Sequence, residues 1–345
     1  MIDALWGVQF FLAASLVLYV LLGGADFGAG ILELFLARRG HDEHRRLISK
    51  AMAPVWEANH MWLILAIVIV FMGFPELYVT MSTYLHLPLI AVLLGIVARG
   101  CAFTFRYYDT PAAQYYQVYT RVFAGSSLWT AFFLGVVAAA LSLGRIQPSG
   151  ADYGTLYIWP WLNWYCIAFG IFVSALFAFL ASVYLAGEAK TIEMHGFFRR
   201  RALVANWALL VVGAAVFVAA YAEGFALSQD FFRDPISLTC FGCATALWIP
   251  FWFSLRRVGR SVLQRVLAVA IVSLVMVGWF AAEHPVMMRL TDSTGALVER
   301  SVRHAAAPVA TLRALLGALI VGGCLIFPAL FYLLRVFKWE TLDQP

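Results

Sequence analysis

APVWEANHMW, residues 53–62, sets a carboxylate (Glu57), an amide (Asn59) and an imidazole (His60) at the head of an apolar run that continues to residue 73. An ionisable side chain at bilayer depth costs roughly 2.5–3.5 kcal/mol even on lenient insertion scales, so it marks a proton or ion path by default. The bland alternative is that these groups bond one another across helices and hold a bundle together. Both readings require the run to be a transmembrane helix, and the rest of the chain agrees.

Of the 345 residues, 63% are hydrophobic and only 12% are charged, with mean hydropathy +0.84, against about 25% charged in soluble domains. The composition predicts an all-α polytopic integral membrane protein. Apolar runs of about 20 residues, enough to span a bilayer, are expected near 6–36, 52–73, 82–105, 122–143, 161–186, 203–221, 236–254, 265–282 and 309–335. These are nine crossings in one membrane domain over 1–345, without a linker or an internal repeat. Asp3 precedes the first run with no basic residue, so that helix is expected to stay in the protein rather than be removed as a signal peptide. The five cysteines lie almost wholly in apolar segments. Cys240 and Cys243 have neither a second pair nor a histidine at zinc spacing, so neither a disulfide framework nor a metal site is expected.

The net charge of +5 is a matter of topology rather than of nucleic-acid binding, because the basic residues sit in short loops. Alternating the loops by side puts 18 of the 24 Lys and Arg on one face, including Arg38, Arg45, Lys50, Arg121, Arg200, Arg256 and Lys338. The positive-inside rule then predicts the N-terminus outside and the C-terminus in the cytoplasm. Trp6, Tyr157, Trp159, Trp161, Trp207, Trp248 and Trp339, near helix ends, fit interfacial belts.

The first helix carries GGADFGAG, residues 23–30, whose glycines allow close backbone approach around Asp26. At 1.5 Å rise per residue, Asp26 lies roughly 18 Å and Glu33 roughly 7 Å from the basic edge at Arg38, while Glu57 and His60 lie roughly 10 Å and 15 Å from Lys50. Asp26 and Glu33 are seven residues apart, and Glu57 and His60 three apart, so each pair shares a helix face. A file running inward from Glu33 through Glu57 to His60 and Asp26 suits proton uptake, since carboxylates and imidazole shift their pKa toward neutral when partly buried.

Arg99 and Arg106 also share a face, and can meet lipid phosphate, a carboxylate or a partner subunit, with lipid or structural pairing placed first. His86, alone on an apolar helix, reads as hydrogen-bonded packing. Glu283 and His284, before Pro285, read as solvated loop residues, and the long loop from Met287 to Ala307 as a cover for a partner.

With RGCAFTFR at residues 99–106 added to the two motifs above, the whole chain resembles subunit II of the cytochrome bd quinol oxidase family, its cyanide-insensitive branch in particular. The resemblance implies a heterodimer with a subunit I that carries haems b and d. No haem ligands are then expected on this chain, and no decision follows about a structural quinone or a small accessory subunit. It implies that the complex oxidises quinol and reduces O2 to water in a bacterial cytoplasmic membrane, taking protons from the cytoplasm. It further implies a proton route through Asp26 and Glu57, to which the depth file adds His60 as a third carrier and Glu33 at the entry; Trp56, Asn59, Trp62, Arg99 and Arg106 belong to the motifs. Glu57 stands where better-known members have aspartate, and those members lack a histidine at the position of His60. The competing class is a stand-alone proton-coupled transporter, which normally shows broken helices in two related halves. A third reading, haem ligation by His60 or His86, lacks a second axial group.

Overall fold

The computed structural model describes residues 2–36, 42–52, 56–108, 115–150, 152–189, 191–225, 231, 233–255 and 261–339. In chain order the helices are α1 (Ile2–Leu18), α2 (Gly24–Leu34), α3 (Asp42–Met52), α4 (Trp56–Gly73), α5 (Pro75–Tyr84), α6 (His86–Tyr108), α7 (Tyr116–Leu143), α8 (Tyr153–Tyr157), α9 (Trp164–Glu188), α10 (Ile192–Ala222), α11 (Pro235–Leu255) and α12 (Ser261–Glu283). A hairpin of β1 (Val286–Thr291) and β2 (Leu297–Ser301) follows, then α13 (Val302–Ala305) and α14 (Val309–Trp339). Among the described residues eight helices are long and apolar enough to cross a membrane, nine if one bent pair counts as a single crossing. Ile64, Phe71, Leu93 and Leu94 are exposed on the outside of the bundle, where a bilayer supplies the apolar contact that water cannot.

The first crossing runs from Ala4 to Leu34 and contains a π-helical turn, Tyr19–Gly23. Such single turns insert an extra residue into a helix and recur at functional sites. The second crossing is broken. Phe74 leaves the helical region at φ −138°, ψ 65°, Pro75 restarts a helix in which its missing N–H costs nothing, and the two halves meet at 113°. The run expected at 82–105 is therefore divided, with Met81 to Tyr84 ending the bent second crossing and the next helix opening at His86.

Two further expectations are corrected. The basic stretch expected as a loop before residue 52 includes α3, an amphipathic helix that buries Ile48 against Leu32, Leu36 and Phe198 and exposes Glu43, Arg46 and Lys50. The long segment after Glu283, expected as a loop, is an antiparallel hairpin pairing Leu290 with Val298 and Thr291 with Leu297. Its Met288 and Leu290 enter the core beside Val8, Phe74 and Ile146. At the end of α7 Gly144 turns left-handed, φ 81°, and its carbonyl accepts a bond from the Thr291 hydroxyl at 2.6 Å.

The centre of the fold is α2, which packs chiefly on α7 and α9, whereas α4 packs on α1 and the π turn. The glycines explain that placement. A Cβ on Gly28 would stand 1.8 Å from the Phe177 carbonyl oxygen of α9, and one on Gly30 would stand 2.1 Å from Ser127 Oγ of α7.

A candidate proton-conducting site of two buried carboxylate–arginine pairs

The close approach of α2 to α7 and α9 leaves Asp26 fully buried, and Arg99 reaches it from α6. Arg99 Nη2 lies 2.5 Å from Asp26 Oδ1 and donates also to the Asp26 carbonyl at 3.3 Å. Its Nε donates to Ser127 Oγ at 3.0 Å, and Ser127 donates in turn to the Phe123 carbonyl at 2.7 Å. A buried charge costs several kcal/mol in desolvation unless it is paired and its remaining hydrogen bonds are met; the guanidinium meets this condition through three acceptors.

Seven residues on, the pattern repeats. Arg106 Nη1 lies 2.6 Å from Glu33 Oε2, and its Nη2 donates to Ser49 Oγ of α3 at 3.1 Å. Asp26 and Glu33 thus share one side of α2, and the two pairs stand about 10 Å apart, two helical turns. The Phe123 ring separates the two cations, 4.9 Å from the Arg99 guanidinium and 4.4 Å from that of Arg106. Phe27 takes the other side of Arg99 at 4.8 Å. Such cation–π contacts return part of the hydration that burial removes.

Among the described residues each carboxylate is held on one oxygen only. Among the described residues, Asp26 Oδ2 and Glu33 Oε1 have no hydrogen-bond partner, and neither has the buried Tyr19 hydroxyl, which lies within the electrostatic reach of Arg99 and Asp26. Tyr19 belongs to the π turn, so the one irregular turn of the first crossing adds a third polar group to this neighbourhood.

From the second crossing, His60 is partly buried and its ring lies 5.7 Å from that of Phe27, the residue after Asp26. Asn59 and Trp62 are buried, and Trp62 tilts against Phe327 of α14. The side chains of Trp56 and Glu57 lie outside the described residues. Of the expected file, the fold brings Asp26, Glu33 and the His60 ring around α2. Arg99 and Arg106, expected near lipid or in structural pairing, are turned inward onto the two acids. The equal spacing of Asp26–Glu33 and Arg99–Arg106 was the signal of that match. Ser127, Phe123 and Tyr19 carried no signal, being ordinary residues of apolar helices, and neither did Ser49 in the basic stretch.

The remaining expected residues lie elsewhere. Glu283, expected in a solvated loop, is bonded by buried Arg289 at 2.5 Å, and Arg289 also bonds Glu299 at 3.1 Å and the Ser142 carbonyl at 3.2 Å. His284 stacks on Trp6. His86 Nδ1 meets the Thr83 carbonyl at 2.8 Å, His195 Nδ1 meets that of Ala186 at 2.8 Å, His304 faces Glu76 and His44 tilts over Phe197. Each described histidine thus makes a local contact. Among the described residues no three His, Cys, Asp or Glu side chains gather as a metal site. Cys240 and Cys243 are free thiols.

Residues 5–337 match the family described as cytochrome bd terminal oxidase subunit II. Similar curated proteins are the cytochrome bd ubiquinol oxidase subunit 2 of Bacillus subtilis, 34% identical over 176 residues, 50% of each chain, and the cytochrome bd-I ubiquinol oxidase subunit 2 of Escherichia coli K12, 32% identical over 91 residues, 26% of this chain and 24% of the relative. The aligned part spans about half the length of the first of these relatives and less of the second. The solved bd oxidase from Geobacillus thermodenitrificans shares the fold, with TM-score 0.77 and 18% identity, over 98% of this chain and 99% of the matched one. The family match covers the π turn, both buried pairs and the hairpin, and the chain belongs to the cytochrome bd terminal oxidase subunit II family.

Proposed function

We propose that this chain, as one membrane domain, is the subunit II of a bacterial terminal oxidase that oxidises quinol and reduces O2 to water. It pairs with a subunit I that holds haems b and d, and it lies in the cytoplasmic membrane with its N-terminus outside. The haems of the partner supply the electron transfer to dioxygen; this chain supports that site and carries protons toward it from the cytoplasm. A structural quinone and a small accessory subunit are compatible additions.

The supporting observation is the pair of half-held carboxylates. An acid clamped by arginine on one oxygen can take a proton on the other oxygen and release it without losing its clamp, while the arginine stays protonated throughout. Glu33, nearer the basic edge, receives the proton, and Asp26, two turns inward, passes it on. The two open oxygens are too far apart for one hydrogen bond, so water, with Glu57 and His60 from the second crossing, completes the relay. Broken helices in two related halves would favour the transporter; among the described residues there is a single bent pair.

The test uses the purified complex. Glu57→Gln and Glu33→Gln are expected to slow quinol-driven oxygen uptake while leaving the haem spectra near normal; loss of the haems would make those acids structural. A colourless chain that purifies alone without oxygen uptake would move the assignment to the transporter.

A further inference from the structure

A cavity of about 550 Å3 opens where α1, the end of the hairpin and the start of α14 meet, within the 300–1,000 Å3 range of small-molecule sites. Leu5, Val302 and Leu312 line its inner wall and are buried. The stacked Trp6 and His284 rings, 5.1 Å apart, form part of its lining, and Trp6 is half exposed. Gln9 and Arg303 add polar atoms.

The level of this cavity is decisive. Leu5 and Trp6 begin the first crossing, and Val309 and Leu312 begin the last, so apolar walls face the hydrocarbon while Arg303, ahead of the last crossing, stands at the headgroup layer. The local charge is unmatched as well. Three acids near the hairpin are taken by other arginines, Glu283 and Glu299 by Arg289 and Glu76 by Arg300 at 3.2 Å, while Asp292 in the turn is held by Thr294 and Ala296. Arg303 is exposed and has no acidic partner among the described residues.

The geometry points to a site for one anionic phospholipid of the surrounding membrane, its phosphodiester on Arg303 and an acyl chain along Leu5 and Leu312. Guanidinium is suited to this because its fork binds phosphate oxygens in pairs. The site lies among the ends of α1, α14 and the hairpin, and does not depend on the buried pairs or on the function proposed for them.

The complex is washed in non-ionic detergent, incubated with phosphatidylglycerol or phosphatidylcholine micelles, and its retained lipid is extracted and identified by mass spectrometry. Wild type is expected to retain phosphatidylglycerol stoichiometrically. Arg303→Gln and the cavity-filling Ala306→Leu are expected to bind it roughly tenfold more weakly, the size of one charge-assisted contact. Arg313→Gln, an exposed arginine outside the cavity, is the unchanged control. Equal retention in all variants, equal retention of phosphatidylcholine, or recovery of a neutral lipid or a prenylated quinone instead overturns the proposal. Oxygen uptake takes no part in this readout, so the result is independent of the oxidase assignment.

Discussion

Arg99 brings Nη2 to 2.5 Å from Asp26 Oδ1 where both side chains are sealed from solvent. The helix-one aspartate is thereby half of an ion pair rather than an isolated buried charge, and Glu33 with Arg106 repeats the arrangement at the same chain separation of 73 residues. The pairs hold α6 to α2 across α7, so their structural and functional contributions have to be measured separately.

Removing one partner of a buried pair costs about 3–5 kcal/mol, whereas replacing both by apolar groups of similar volume is often near neutral. Arg99→Met is expected to lower the thermal midpoint of the detergent-solubilised complex clearly. Asp26→Leu combined with Arg99→Met is expected to recover most of that loss, yet not the oxygen uptake. A double variant no more stable than the single one would show that the two side chains are not energetically coupled.

Gly28 and Gly125 should respond in opposite directions to the same methyl group. At Gly28 the added carbon meets backbone at 1.8 Å, so α2 must move off α9, an overpacking cost of about 1–3 kcal/mol or more. At Gly125 nothing lies within 4 Å, and alanine should stabilise the helix by up to about 1 kcal/mol. Thermal melts of Gly28→Ala and Gly125→Ala check both signs, and a tolerated Gly28→Ala would count against the tight α2–α9 contact.

Arg289 clasps the hairpin to the bundle through Glu283, Glu299 and the end of α7. Arg289→Met leaves Glu283 without that bond and is expected to cost about 3 kcal/mol locally. Limited proteolysis should then cut within residues 286–301 several times faster than in wild type, with the transmembrane helices still protected. Unchanged cleavage would mean that Met288 and Leu290 hold the hairpin without the clasp.

The hairpin turn should be insensitive to pH until strongly acid conditions. Hydrogen bonds from the Thr294 hydroxyl and from the Ala296 and Thr294 amides hold the Asp292 carboxyl below its ordinary range. Its stabilisation is therefore complete above the unfolded value of about 3.9 and is lost only as pH falls through the depressed folded value. Cleavage at the turn, corrected for the protease's own pH profile, should be flat from pH 8 to about pH 5, and Asp292→Ala should raise it throughout. A rise in wild-type cleavage within that window would contradict the assignment.

The membrane class, the approximate spans and the buried ionisable residues of the first crossing were legible in the chain by itself, because hydropathy over about 20 residues and the cost of burying a charge are local properties. Helical periodicity likewise put Asp26 and Glu33 on one face. What periodicity leaves open is which neighbour that face meets. The tertiary structure supplied Arg99 and Arg106 from 73 residues away, with Ser127, Phe123 and Ser49 around them. It also decided that α2 packs between α7 and α9 rather than on the second crossing, since the glycines permit a close approach but do not choose the partner. The break at Phe74 had a local cause in Pro75, yet the 113° bend depends on the packing of α5 beside the hairpin. Composition and period are read along one chain, whereas the pairing of buried charges depends on three-dimensional contacts among segments remote in sequence.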